Sequence, residues 1–317
     1  MVSLPVFNLG GFENSTGTSR KSYCTKLDKF CSEVGFLLIE NHAVPDKIIE
    51  SQWSAVKQFF SQAPDAKMKV SVPYPGYPYG WIGPNKEALA ASKGEKTPPD
   101  LKESFNGGPI KVPKGKISKE ALNFCYLPTI WPDVDDFEKS WKIYYNEMEN
   151  LSKRLMSVFA IALKLPSDYF TKFIDNPISA LRALNYPLIQ KEVLPKQQRA
   201  GAHTDYGSLT ILLPLDSIQG LQIKNSNNRW VNVPNVKNSF IINIGDLMAL
   251  WTNDRWTSTL HRVIPINRNK DRKTLVFFHQ PNWDAKIKCL SSCVGEVSKY
   301  SEVFSGPYLM KKFKSTT

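Results

Sequence analysis

Between about residue 178 and residue 285 the chain consists of short apolar runs separated by turn residues. The runs fall at residues 180–189, 208–215, 220–225, 229–234, 239–246, 261–266 and 273–281, and Asn225–Asn228 has the composition of a hairpin tip. Many short strands at regular spacing with no helices between them predict an antiparallel barrel or jelly roll. The chain upstream reads differently. Residues 20–34 carry Tyr23, Leu27, Phe30, Cys31 and Val34 at helical spacing. A buried strand is expected over 35–42, and a second helix over 45–62 with Pro45 near its start. Residues 73–113 are rich in Pro, Gly and aromatics and read as loop, the kind of segment that often carries binding residues. One long helix is expected over 133–165, opening with acids that suit its N-terminal dipole. The expected architecture is a helical N-terminal region packed on a β-rich C-terminal core, as one compact unit.

Composition narrows the function classes. The chain has 317 residues, 42% of them hydrophobic and 22% charged, as in ordinary globular proteins. No apolar run approaches the roughly 20 residues of a membrane helix, so no membrane partner is expected. The first residues lack the charged start and long apolar stretch of a signal peptide, and Val6 and Phe7 read as a first strand. A cytoplasmic location is the expectation. The five cysteines (Cys24, Cys31, Cys125, Cys289, Cys293) are scattered and read as free thiols. Basic residues exceed acidic ones by 41 − 29 = 12. They are spread along the chain with no dense block of interleaved aromatics, which argues against nucleic acid as a partner. A small substrate bearing carboxylates fits the charge as well, and a solvated surface accounts for most of it.

The polar residues of the β-rich half carry the chemistry. His203 and Asp205 stand two apart in "GAHTDYGSLTILL", so on a strand they would share a face. Alone, that pair also describes a partly buried histidine bonded to an acid. His261 follows in "STLHRVI", after an "NIGD" turn. Two histidines and one carboxylate on a jelly roll can form a facial triad that leaves positions on Fe(II) open. Arg272 and Thr274 share a strand face farther on, where a guanidinium fork and a hydroxyl could hold a carboxylate.

Taken in order, "LPVFNL", "EVGFLLIENHAVP", "QFFSQAPDAKMK", "LKESFNGG", "GLQIKNSNNRWVNVP" and "INIGDLMALWTNDRWTSTLHRVI" resemble the iron(II)- and 2-oxoglutarate-dependent dioxygenases over nearly the whole chain. The resemblance is to the branch that includes isopenicillin N synthase and the plant flavonoid oxygenases. It implies an α+β fold with a double-stranded β-helix (jelly-roll) core. The implied boundaries are residues 1–112 for the N-terminal region, 113–177 for a helical connector, 178–285 for the core and 286–317 for a tail. The family's H-x-D…H motif matches His203, Asp205 and His261 as metal ligands, and its R-x-S motif matches Arg272 and Thr274. Tyr186, before a proline, matches a tyrosine that would bond the co-substrate or substrate.

The implied cofactors are Fe(II), 2-oxoglutarate and O2. The implied activity is hydroxylation, desaturation or oxidative ring closure of a small metabolite, carboxylate-bearing or amino-acid-derived, in specialised metabolism. The alternative is an oxidase that needs no 2-oxoglutarate, as in isopenicillin N synthase. A monomer acting on a small molecule is expected. For substrate contacts, Tyr74, Tyr77, Trp81 and Lys86 lie in the loop where this branch contributes them, with Phe105 similar. Tyr79, in that loop, and Asn106, beside Phe105, are candidates of the same kind. Arg182 is in phase with Tyr186 and could meet a substrate carboxylate or a structural acid. Phe278 and Gln280 are in phase with Arg272, whereas His279 is not.

Overall fold

The computed structural model describes residues 4–190, 192–215, 220–234, 236–265, 270–295 and 297–314. Residue 266, the end of the run at 261–266, and residues 216–219, after the run at 208–215, lie outside the described residues. In chain order the elements begin with β1 (Val6–Asn8), α1 (Leu9–Glu13), α2 (Gly17–Glu33), β2 (Phe36–Glu40), α3 (Asp46–Ser61) and α4 (Pro64–Met68). Next come β3 (Gly80–Ile82), β4 (Glu103–Gly107), α5 (Lys119–Phe124), α6 (Phe137–Ala162), β5 (Ala180–Tyr186), β6 (Ala200–His203) and β7 (Leu209–Pro214). The chain continues through β8 (Leu221–Lys224), β9 (Trp230–Asn232), β10 (Phe240–Ile244), α7 (Asp246–Trp251), β11 (His261–Val263) and β12 (Arg272–His279). It closes with a short strand pair, β13 (Lys286–Ile287) and β14 (Val303–Phe304), and α8 (Ser305–Lys314).

Two sheets face each other. The larger has the strand order β1-β2-β10-β7-β12-β5-β4-β3, and the smaller has β6-β11-β8-β9. Every pair is antiparallel except β1 with β2. The apolar residues divide accordingly. Leu38, Leu184, Leu221, Ile223, Ile241 and Val276 meet between the sheets. Phe105, Leu181, Ile211, Ile242 and Phe277 point from the large sheet toward the helices, in one core with α3 and α6. In α6, Trp141, Tyr144, Tyr145, Met148, Leu151, Leu155 and Phe159 recur at three- and four-residue spacing and are buried. This helical layer covers one face of the large sheet and leaves its other face for the site.

Two expectations need correction. The long helix begins at Phe137, because Asp136 takes a left-handed backbone (φ 56), so of the expected acids only Glu138 lies in its first turn. The stretch 73–113 is not all loop, since β3 and β4 extend the large sheet within it. Their composition hides this: the β4 sequence, ESFNG, is entirely buried although mostly polar. Its Glu103 is matched by Lys67 at 2.8 Å, Trp81 Nε1 at 2.8 Å and Asn185 Nδ2 at 2.7 Å. No described helix is long and apolar enough to cross a membrane.

The "NIGD" turn ties the two halves of the core together. Gly245 N donates to Ser208 O at 3.0 Å, and Asp246 N donates to Asp205 O at 2.8 Å. A side chain at Gly245 would put Cβ 2.2 Å from the Gly207 carbonyl oxygen, which is backbone and cannot yield locally. Gly245→Ala is therefore expected to destabilise the protein by about 2 kcal/mol. It should weaken metal binding as well, since the backbone that places Asp205 must move. Thermal melting and metal titration of the variant check both effects.

Candidate active site

The inner face of the large sheet presents its residues in rows. Phe36, Asn243, Thr210, Phe278 and Ala180 are cross-strand neighbours in one row, and Leu212, Val276, Arg182 and Asn106 in another. Arg272 pairs with Tyr186 farther along. With β6 and β11 opposite, these residues enclose a cavity of about 170 Å³.

His203 and His261 are direct cross-strand partners of β6 and β11, with ring centroids 4.3 Å apart. Asp205 sits just past the end of β6, in the turn before β7, so it does not share a strand face with His203 as expected. The turn nevertheless brings its Oδ1 to 3.8 Å from His203 Nε2 and 3.7 Å from His261 Nε2.

Each of the three ligand candidates is oriented from behind. His203 Nδ1 lies 2.7 Å from Gly201 O, and His261 Nδ1 lies 3.0 Å from Thr259 O. Nδ1–H is the donor in both, which leaves each Nε2 lone pair facing Asp205. Asp205 Oδ2 accepts from Thr210 Oγ1 at 2.6 Å and Asn243 Nδ2 at 2.8 Å, so Oδ1 is left for another partner. Phe36 packs its ring edgewise on His261 at 5.3 Å.

Burial, followed by the neighbouring His261, pulls the His203 imidazole down to about 3, so it is neutral at ordinary pH. Burial pushes the Asp205 carboxyl up. The two imidazoles and the bonds from Thr210 and Asn243 reverse this and hold it below the usual range. Two imidazoles and one carboxylate, with ligand atoms all within 4.8 Å of one another, form a donor set suited to Fe(II).

Arg272 is 3% exposed and stacks on the Tyr186 ring at 5.1 Å. Among the described residues its Nε and Nη1 have no hydrogen-bond partner, and neither has the fully buried Thr274 Oγ1 on the same strand face. Among the described residues no carboxylate lies within ion-pair distance of Arg272. A buried cation with idle donors is costly unless an anion meets it, so this end of the cavity fits a carboxylate such as that of 2-oxoglutarate.

The expected substrate contacts separate into two groups. Phe278, Gln280, Arg182, Tyr79 and Asn106 line the cavity. Trp81 and Phe105 do not: they are cross-strand partners on the opposite face of the sheet, where Phe105 packs on Phe59, Phe137 and Trp141. Tyr74 is exposed, Tyr77 donates its hydroxyl to Pro128 O at 2.5 Å, and Lys86 is exposed. From that loop Pro78 and Glu87, which were not expected, join Tyr79 at the cavity. His279 faces the helices, 2.6 Å from Ser208 Oγ.

Arg182 meets a structural acid. Its Nη1 lies 3.3 Å from Glu87, which also pairs with Lys102 at 3.1 Å, and Lys102 pairs with Asp100 at 3.2 Å. Burial pushes the Glu87 carboxyl up, but Arg182 and Lys102 outweigh it and hold the group near 2. Its stabilising contribution is thus complete above the ordinary carboxylate range and lost as pH falls toward 2. Glu87→Gln should destabilise the protein by about 3 kcal/mol at neutral pH, because two buried cations lose their shared partner. The variant's denaturation midpoint should also vary less than the wild type's between about pH 4.5 and pH 2.

The sequence reading missed Thr210, Asn243, Glu87 and Lys102. It also missed Leu309 and Phe313 of α8, the expected tail, which line the cavity. A polar residue inside an apolar run, as Asn243 is in "FIINI", was the available signal.

Comparisons with known proteins agree with this geometry. Residues 178–281 match the model of the 2OG-Fe(II) oxygenase superfamily. Residues 4–134 match the N-terminal region described as non-haem dioxygenase in morphine synthesis N-terminal. The chain is 30% identical to homoarginine-6-hydroxylase 2-ODD-233 of Oryza sativa subsp. japonica, over 90% of this chain and 87% of that one. It is 29% identical to the proline hydroxylase buaE of Petromyces alliaceus, over 92% of each. Among solved structures, a full-length Neurospora crassa protein in complex with alpha-KG (2-oxoglutarate) and thymine superposes with a TM-score of 0.85 at 26% identity, covering 98% of this chain and 96% of that one. The chain belongs to the 2-oxoglutarate- and Fe(II)-dependent oxygenases, built on a jelly-roll core. It is a dioxygenase of small metabolites that uses Fe(II), 2-oxoglutarate and O2.

Proposed function

We propose that His203, Asp205 and His261 hold the iron, that Arg272 and Thr274 hold the far carboxylate of 2-oxoglutarate, and that the substrate occupies the part of the cavity walled by Arg182, Phe278 and Gln280. The observation that carries this reading is the buried, unpaired Arg272 on the same sheet face that supports the histidine–aspartate cluster. When bound, Fe(II) and 2-oxoglutarate would together activate O2, the oxidant, for removal of hydrogen from an unactivated C–H bond of the substrate.

The chain's own residues do the rest. Gly201 and Thr259 fix the histidine tautomers, and Thr210 and Asn243 hold one carboxylate oxygen so that the other faces inward. Tyr186 braces the Arg272 guanidinium. The apolar wall of Leu184, Val276 and Phe278 excludes water, which strengthens the Arg272–carboxylate attraction.

The substrate class best supported is a small nitrogenous metabolite, amino-acid-derived or related. The support is the cavity's size and the relatives named for homoarginine and proline, with a neighbour bound to thymine. A cavity of about 170 Å³ suits a small molecule better than a polymer. The test is succinate release by the Fe(II)-loaded enzyme offered amino acids, cyclic amides and pyrimidines in turn. Substrate-stimulated succinate formation that requires 2-oxoglutarate is expected. Substrate oxidation and O2 uptake proceeding equally well without 2-oxoglutarate would overturn the reading.

A further inference from the structure

Most polar groups along the substrate half of the cavity already have partners. Arg182, Glu87 and Lys102 pair among themselves, Tyr79 donates its hydroxyl to Cys125 O at 2.8 Å, and Thr204 accepts from Lys93 at 2.8 Å. Two side chains stand out. Among the described residues, Asn106, 3% exposed, has both Oδ1 and Nδ2 buried without a hydrogen-bond partner, and Gln280, 4% exposed, has Oε1 in the same condition. Both line the cavity. Asn106 stands directly opposite Arg182 across β4 and β5, on the inner face.

A buried carboxamide with neither atom satisfied is costly to keep in the fold. The cost is recovered when a ligand supplies the missing partners. The two atoms present one donor and one acceptor side by side, and exchanging them by a flip of the amide leaves that pattern intact.

We propose that Asn106, assisted by the Gln280 carbonyl, selects a substrate carrying a neutral cis-amide edge, as in a lactam, a cyclic ureide or a primary carboxamide. This rests on the oxygenase reading above and names the substrate chemistry of that site. Such an edge gives its N–H to Asn106 Oδ1 and takes the Nδ2–H into its carbonyl, while a second N–H can reach Gln280 Oε1. A carboxylate has acceptors only. It would leave Asn106 Oδ1 facing like charge, and it would compete with Glu87 for an Arg182 already paired. An ammonium has donors only and would face Nδ2–H. Arg182 is therefore a wall of a charge-balanced site, not the free cation that a carboxylate-bearing substrate requires.

The full chain, loaded with Fe(II) and 2-oxoglutarate under anaerobic conditions so that no turnover occurs, is titrated calorimetrically with four six-membered rings. These are 2-piperidone, cyclohexanone, piperidinium and cyclohexanecarboxylate. The expected result is that 2-piperidone binds about tenfold or more tightly than each of the others, the equivalent of one well-made hydrogen bond. Asn106→Asp and Asn106→Leu should each remove that preference while 2-oxoglutarate still binds. Equal or tighter binding of the carboxylate, the cation or the ketone would overturn the proposal, as would no binding of 2-piperidone to a protein that binds 2-oxoglutarate. The wild-type series decides this even if neither variant folds. A protein that fails to bind 2-oxoglutarate in the same cell overturns the oxygenase reading and this inference with it.

Discussion

Replacement of Asp205 by alanine is expected to abolish turnover and to lower Fe(II) affinity by more than about 100-fold, beyond the 10–100-fold typical of losing an outer partner of a metal ligand. Asp205 is the only anionic member of the cluster, and it lies 3.7 and 3.8 Å from the two imidazoles. Without it only the two histidines remain, which hold a divalent ion weakly. His203→Ala and His261→Ala should behave alike, each leaving two ligands. Asn243→Leu and Thr210→Val remove the bonds that fix the Asp205 Oδ2, and should fall within the outer-partner range. Anaerobic Fe(II) titration, with iron content by elemental analysis, separates the two grades of effect. Full iron content and activity in any single ligand variant would sink the triad.

The second large effect is at Arg272. Arg272→Ala should weaken 2-oxoglutarate binding about tenfold or more, since hydrogen bonds to a charged group are typically worth about 1.5–3 kcal/mol. Arg272→Lys should recover part of the loss, because it restores charge without the planar fork. Thr274→Val, losing one hydroxyl, should cost less than either. Folding should tolerate Arg272→Ala unusually well for a buried position, because the guanidinium has idle donors to lose and few bonds. An unchanged 2-oxoglutarate affinity in Arg272→Ala would place the co-substrate elsewhere.

The sequence carried the metal cluster and the Arg272 face because their chemistry is written in local spacing. His203 and Asp205 are two residues apart, and Arg272, Thr274, Phe278 and Gln280 keep the phase of one strand. What escaped depends on register between distant segments. Glu87 and Arg182 are 95 positions apart, so nothing local marks Glu87 as a partner or sets it above its exposed neighbour Lys86. Trp81 and Phe105 read as loop aromatics because β3 is only three residues long and β4 is mostly polar. Once paired with β5, the two-residue period turns Asn106 toward the cavity and Phe105 toward the helices. Asp205 reached the cluster by a route the strand argument did not give, from the turn after β6. The turn itself is set by backbone bonds to the "NIGD" segment about forty residues on. The α8 helix is ten residues long, and its apolar side chains became part of the site through tertiary packing alone.

The central claim is that one Fe(II) held by His203, Asp205 and His261 works together with one 2-oxoglutarate held by Arg272. The most direct measurement is an anaerobic calorimetric titration of the metal-free protein, first with Fe(II) and then with 2-oxoglutarate. The wild type should take one Fe(II) per chain and then one 2-oxoglutarate. The affinity for 2-oxoglutarate should drop when Fe(II) is omitted, when Asp205 is alanine and when Arg272 is alanine. Binding of 2-oxoglutarate with the same affinity under all these conditions would contradict the account.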